Sequence, residues 1–371
     1  MNVEARLEWN SAVARHVDRL VLRESALQAS GRWAAAGESL RRGGEVRLDA
    51  APWCLPAGLP VAEMPRSHFR LRTEPVPGRY YPRLAFADLA QGPRDLHPVR
   101  LLEANGEVLR VDPNHPLGAR APVLVFRPTD DVPAPGPRMA DLFEGPGMQV
   151  PPEDVEQAYF HLDGRSRQDE MPDSQFYAQP RMVQHLDAAC RREITRLHGR
   201  FLVSGTRVLD LMASWDSHLP AQTQDIFVAG LGMNDGELAA NVRLSERVVK
   251  DLNARDGLPW ADGCFDLVSC TASLEYLVRP QGVMAEARRV LRPGGVFVVT
   301  FSDRWFPPKA IKVWGELHPF ERQALVLGLF AGAGFQDLHT ETLRGVARPE
   351  DDKYAEQRPH SDPLFAVWGR A

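Results

Sequence analysis

Hydrophobic and polar positions alternate with three different rhythms along the chain. From Val3 to about Ala36, Leu7, Val13, Val17, Leu20 and Leu22 recur at roughly helical spacing among Arg and Glu, which predicts a helical segment over residues 1–44 closed by Gly43-Gly44. Residues 45–128 carry short β-like runs instead: Glu45-Val-Arg-Leu48, Tyr80-Tyr-Pro-Arg-Leu84, Val99-Arg-Leu-Leu102, Val108-Leu-Arg-Val111 and Val123-Leu-Val-Phe126. Pro77-Gly78 and Asn105-Gly106 punctuate them, and the second pair between two such runs is a hairpin signal. Thr129 to Met148 is rich in Pro, Gly and Asp and reads as the body of a linker over residues 129–175. Phe176 to Asp187 then predicts the start of a helix running to about Gly199, with Pro180 in its first turn.

From Thr206 onward, strand-like and helix-like stretches alternate. Strands are expected at Arg207–Leu211, Asp225–Leu231, Arg247–Asp251, Phe265–Cys270 and Val296–Phe301, with a late pair near Phe335–Thr340 and Leu364–Trp368. This alternation predicts an α/β fold, a Rossmann-like doubly wound sheet over residues 176–371, beside a smaller N-terminal β-rich module.

Composition narrows the classes. The chain of 371 residues is long enough for about two to three domains, and a charged fraction of 25% is ordinary for a globular protein. A net charge of −5 gives no electrostatic reason to expect nucleic acid or an anionic membrane as partner. No apolar run is long enough to span a bilayer, and Met1-Asn-Val-Glu-Ala-Arg lacks the features of a signal peptide, so a cytoplasmic location is expected. Cys54, Cys190, Cys264 and Cys270 form no CxxC pair; they read as free thiols, and no metal site is expected.

Candidate chemistry concentrates at one strand end. Val208-Leu-Asp-Leu211 is a buried strand carrying an acid, followed by the small-residue turn Met212-Ala-Ser-Trp215. In open α/β sheets such a strand end is where ligands bind. The strand resembles the first motif of class I S-adenosylmethionine-dependent methyltransferases. Leu258-Pro-Trp-Ala-Asp-Gly-Cys-Phe-Asp-Leu-Val268 and Ala285-Glu-Ala-Arg-Arg-Val-Leu-Arg-Pro-Gly-Gly-Val-Phe297 resemble two further segments of that family, and Leu364-Phe-Ala-Val-Trp368 fits the last strand of its reversed hairpin. The resemblance implies S-adenosylmethionine as cofactor. Asp210, Leu211, Met212, Ser214 and Trp215 would then lie beside its methionine and ribose parts, Asp251, Leu252 and Asn253 beside its adenine, and Tyr177 and Arg181 over the site. His185, His218, Glu275 and Tyr276 would stand near the acceptor, while Gly294 and Gly295 make a structural turn.

Two features depart from the family pattern. The turn has no glycine, and Gly232 stands where the second strand usually ends in a ribose-binding acid, which leaves Asn234 or Asp235 as substitutes. A subset of methyltransferase-like proteins shares the Ser217-His-Leu-Pro220 turn, the Phe176 to Asp187 segment and Gly232-Met-Asn234, so the turn resembles a subfamily trait.

In the N-terminal half, Asp112-Pro-Asn-His-Pro-Leu-Gly118 resembles the return strand of FKBP-type prolyl isomerases that carry a chaperone-like insert in the flap. The isomerase's own N-terminal strands and aromatic wall have no counterpart. The bland expectation for Asn114, His115 and Pro116 is a loop whose side chains bond backbone. Two functions remain open at this point. One is a methyltransferase acting on a small-molecule or protein acceptor; the other is a non-catalytic assembly factor that binds a protein partner through the N-terminal module.

Overall fold

A computed structural model describes residues 1–28, 34–50, 58–161, 163–254 and 257–371. Cys54 and residues 29–33 of the expected N-terminal helical segment lie outside the described residues. The first strands correct the opening expectation. Residues 2–23 are not helical: β1 (Asn2–Asn10) and β2 (Ala14–Arg23) form an antiparallel hairpin with Asn2 opposite Arg23. The reason is visible in β1, where Val3, Ala5, Leu7 and Trp9 are buried on alternate positions, a period of two and not of 3.6. Ser11 closes the turn, its hydroxyl accepting from the backbone of Val13 and Ala14. Two short helices follow, α1 (Ser25–Gln28) and α2 (Ala34–Arg41).

The remaining N-terminal strands are β3 (Val46–Asp49), β4 (Ala62–Pro65), β5 (Tyr80–Pro82), β6 (Pro98–Asn105), β7 (Val108–Asp112) and β8 (Val123–Pro128). The expected hairpin is present: Asn105 pairs with Val108, and Gly106 takes a φ of 56° in the turn. These strands do not form one module. β4, β5, β6 and β7 make a separate four-stranded antiparallel sheet around Met64, Tyr81, Phe86, Leu101 and Leu109, while β3 and β8 pair into the large sheet beside β1.

The large sheet is completed by β9 (Arg207–Leu211), β10 (Phe227–Gly232), β11 (Glu246–Val249), β12 (Phe265–Thr271), β13 (Leu291–Phe301), β14 (Gln336–Arg344) and β15 (Leu364–Arg370). Its eleven strands run in the order β11-β10-β9-β12-β13-β15-β14-β2-β1-β8-β3. The five strands β11 to β13 are parallel, and β15 returns antiparallel between β13 and β14. Chain order therefore reverses between β9 and β12, which opens a crevice at their C-terminal ends. The N-terminal hairpin joins this sheet through a parallel pairing of β2 with β14.

The helices are α3 (Val155–Tyr159), α4 (Asp173–Phe176), α5 (Ala188–Gly199), α6 (Asp235–Ala240), α7 (Pro280–Val290), α8 (Lys312–Glu316) and α9 (Pro319–Gly332). The expected linker is packed structure: Leu142 and Phe143 join the core of the N-terminal strands, and Met148, Tyr159 and Phe160 join the main core. The helix expected from Phe176 also starts later. Asp187 caps α5 by accepting from the backbone of Ala189 and Cys190, and residues 177–186 stay irregular.

The small sheet docks through a buried ion pair. Arg79, just before β5, donates from Nε and Nη2 to Glu321 on α9 at 3.1 and 2.9 Å, and both side chains are at most 3% exposed. Removing one partner strands the other charge out of water, so Arg79→Met or Glu321→Met alone should lower the unfolding free energy by about 3–5 kcal/mol. The double variant should recover much of that loss. Denaturation midpoints check this; single variants within about 1 kcal/mol of the parent would show that the pair is dispensable.

Candidate active site

Continuous apolar burial of Val208, Leu209 and Leu211 sets β9 in the middle of the sheet, and Asp210 lies among them at 4% exposure. Immediately after β9, Met212 takes a φ of 57°; immediately after β12, Ala272 takes 48°. Left-handed backbone at residues with a Cβ costs roughly 1–3 kcal/mol each and persists only where the surroundings over-determine it. The turn expected to need glycine thus adopts a glycine-like conformation without one. It also presses on the neighbouring strand: a Cβ on Gly232 would lie 2.2 Å from the Ala213 carbonyl oxygen. That contact is why β10 cannot end in an acid.

A cleft opens over these ends. Met212, Ser214, Asn234, Asp251, Leu252 and Asn253 line it. Tyr177, Arg181, His185 and Tyr276 line it too. Asp210, Trp215 and His218 instead line an adjoining hollow that shares Met212, Ala213 and Ser214 with the cleft. Leu211 and Glu275, placed at the site by the sequence, border neither space: both are 1% exposed. Strand alternation points Leu211 into the core, and the turn Leu274–Tyr276 buries Glu275.

Hydrogen bonds reassign several expected roles. The Asn234 oxygen accepts from the backbone of Glu237, capping α6, and its amide donates to the carbonyls of Tyr177 and Ala178 at 2.9 and 3.0 Å. No amide proton remains for a diol, and Asp235 faces solvent 3.5 Å from Arg247. Trp215 Nε1 donates to the Val183 carbonyl at 3.2 Å, Gln184 donates to Asp216, and Glu237 accepts from the backbone of Arg181 at 2.7 Å and from Ser214 Oγ at 2.6 Å. Residues 177–184 are therefore a strap tied across the cleft from its rim. Asn253 is likewise engaged, donating to Asp173 and to the Tyr276 carbonyl and accepting from Val278.

Sequence reading missed Asp173, Glu237, Ser273 and Phe306, all of which line the cleft. Asp173 accepts from Arg167 at 2.8 and 2.9 Å and lies 3.2 Å from buried Lys309. The signal for Phe306 was present in Trp305-Phe306, an aromatic pair just beyond the end of β13. The Asn114-His115-Pro116 loop behaves as expected: Asn114 bonds the backbone of Leu59, and His115 bonds the Phe143 carbonyl.

Burial dominates the electrostatics. It pushes the Asp210 carboxyl up to about 7, against hydrogen bonds from Ser217 and Ser269 that favour ionisation. Burial against Phe306 lowers the His185 imidazole, although one side of it is open to solvent. The hydrogen bond from His218 leads the depression of Asp216.

A family model described as a methyltransferase domain matches residues 221–299. The matched stretch runs from the approach to β10 into β13, within the C-terminal half of the chain. A ubiquinone/menaquinone biosynthesis C-methyltransferase of Chromobacterium violaceum is 26% identical over 174 residues, covering 39% of this chain and 71% of that protein. A demethylmenaquinone methyltransferase of Renibacterium salmoninarum is 33% identical over 108 residues, covering 29% of this chain and 46% of the relative, less than half of its length. Among solved structures, the [4+2]-cyclase SpnF covers 60% of this chain and 98% of its own at 17% identity with a TM-score of 0.35. A methyltransferase from Aquifex aeolicus covers 53% and 96% at 15% identity with a TM-score of 0.34. The family match and the curated relatives favour an S-adenosylmethionine-dependent enzyme of unspecified acceptor over a non-catalytic assembly factor.

Glu275 offers a test of the interior beneath this site. Burial pushes its carboxyl from 4.5 up to about 7, and its Oε2 has no hydrogen-bond partner among the described residues. An acid with a raised folded-state pKa holds its proton more tightly when folded, so its contribution to stability falls as pH rises through this window and levels off above it. Glu275→Gln should therefore gain stability relative to the parent between about pH 5 and about pH 8. Urea unfolding at both pH values checks this, and a difference that does not grow with pH refutes it.

Proposed function

We propose that the cleft binds S-adenosylmethionine and that the chain transfers its methyl group to a small acceptor entering beneath the strap. The observation that carries this reading is the pair of left-handed non-glycine residues, Met212 and Ala272, at the two strand ends flanking the crevice. Strain held at a topological switch point exposes backbone groups to a ligand. The residues fit the cofactor in three respects. Gly232 presents bare backbone, Leu252 and Leu277 supply apolar wall, and Asp251 and Glu237 supply carboxylates.

The cofactor, when bound, supplies an electrophilic methyl group on a sulfonium. The chain's own contribution is positioning and exclusion of water. Tyr177, Tyr276 and Phe306 supply aromatic wall to the cleft, and the Tyr276 hydroxyl accepts from the Phe306 backbone N–H at 2.9 Å. The four-stranded sheet at residues 62–112 is then a docked support, held by Arg79 and Glu321.

Titration calorimetry with S-adenosylhomocysteine tests the reading. One ligand should bind per chain, and Gly232→Ala should weaken binding by about tenfold or more, because its Cβ must displace the Ala213 carbonyl. No heat at millimolar ligand would end the proposal.

A further inference from the structure

Arg181 is an exception among the arginines around the cleft. Arg167 is paired with Asp173, whereas the Arg181 guanidinium makes no ion pair or hydrogen bond to any described residue; its backbone N–H donates to Glu237 and its carbonyl accepts from Val183. Its surroundings are aromatic. The guanidinium carbon lies 4.7 Å from the Phe176 ring centroid, 5.2 Å from that of Phe306 and 5.9 Å from that of Tyr177. Rings so placed stabilise the cation by its π neighbours while leaving its N–H fork to be satisfied by something else. The strap carrying Arg181 is tied at Tyr177, Ala178, Arg181 and Val183, so the side chain projects from a backbone that is already fixed.

Position separates this group from the acids beyond Met212. The adjoining hollow that continues past Met212 to Ser214 is lined by Asp210, Asp216 and His218, and Arg181 does not border it. Arg181 belongs to the wall with Tyr276 and Phe306. A planar fork matches a carboxylate or an ionised hydroxyl, and flat aromatic walls match a flat ligand.

Resting on the methyltransferase reading, we propose that Arg181, with Tyr276 and Phe306, forms an acceptor subsite for a small planar anion, an aromatic carboxylate or an ionised phenol or enol. An acceptor that arrives ionised has no proton to lose before it attacks. That suits a cleft whose histidine, His185, stands at the open mouth.

The test uses the full chain saturated with S-adenosylhomocysteine and two probes of the same shape, 2-naphthoate and neutral 2-naphthamide. The parent should bind the anion about tenfold or more tightly than the amide. Arg181→Gln should abolish that preference while holding S-adenosylhomocysteine within about twofold of the parent, and Arg181→Lys should keep part of the preference. Equal or absent binding of both probes by the parent overturns the proposal. So does an Arg181→Gln variant, folded by its circular dichroism, that loses S-adenosylhomocysteine and not naphthoate, since Arg181 would then hold the cofactor. A parent that binds no S-adenosylhomocysteine fails the methyltransferase reading itself, which is a separate result.

Discussion

The Ala213 carbonyl occupies the space in which a side chain on Gly232 would begin. Everything at the candidate site is arranged around that close approach. It needs the left-handed Met212 to aim the turn, and it forbids an acid at the end of β10. The polar groups expected there are displaced onto the first turn of α6, where Asn234 and Glu237 face the strap. The strap in turn supplies Tyr177, Arg181 and His185 to the cleft. One backbone contact thus shapes the bare floor of the cleft and, through α6, its covered roof.

The roof is also held from behind. Asp173 joins Arg167, Asn253 and Lys309 in one buried cluster, linking the segment before the strap to the loop after β11 and to the chain after β13. A second cluster lies deeper: Arg19 on β2 is 5% exposed and reaches Glu4, Glu193 and Glu341. Three carboxylates against one guanidinium would repel each other unless Arg196 and Arg200 shared the load, and both approach the same acids. Such networks add little net stability compared with an apolar core, but each becomes costly if one member is lost. They bind residues from both ends of the sequence into one packed body.

The parallel strands were legible because burial on both faces writes itself as continuous apolar runs, as in Val208 to Leu211 and Phe265 to Cys270. The N-terminal hairpin was not. Ala5 is small, and Arg19 is charged though buried, so the period-two pattern of β1 and β2 was blurred enough for Leu7, Val13, Val17 and Leu20 to read as a helix. The linker misreading has a similar cause: proline and glycine mark irregular backbone, not exposed backbone. Gly145 packs so tightly that a Cβ would lie 2.1 Å from the Phe320 ring. At the site, the cleft-lining residues flanking β9 and β11 were named from the family resemblance of the segments around them. Their roles were not, because Asn234 finds its partners at Tyr177 and Ala178, far along the chain, and no local pattern reports such a bond.

A glycine-free turn has a physical advantage that the departure from family pattern conceals. Glycine samples many conformations when unfolded and loses them all on folding, so each one replaced at a tolerated position reduces that entropic loss. The cost of left-handed backbone at Met212 and Ala272 offsets the gain unless neighbours hold those residues in place. Here they do: the Ala213 N–H donates to the Leu231 carbonyl at 2.8 Å, and the Ala272 N–H donates to the Thr300 carbonyl at 2.7 Å, each tying a turn to the adjacent strand. Strain at these two positions is therefore fixed by the sheet before any ligand arrives. A cleft built this way meets its ligand preorganised, and the energy of binding need not be spent on ordering the turn.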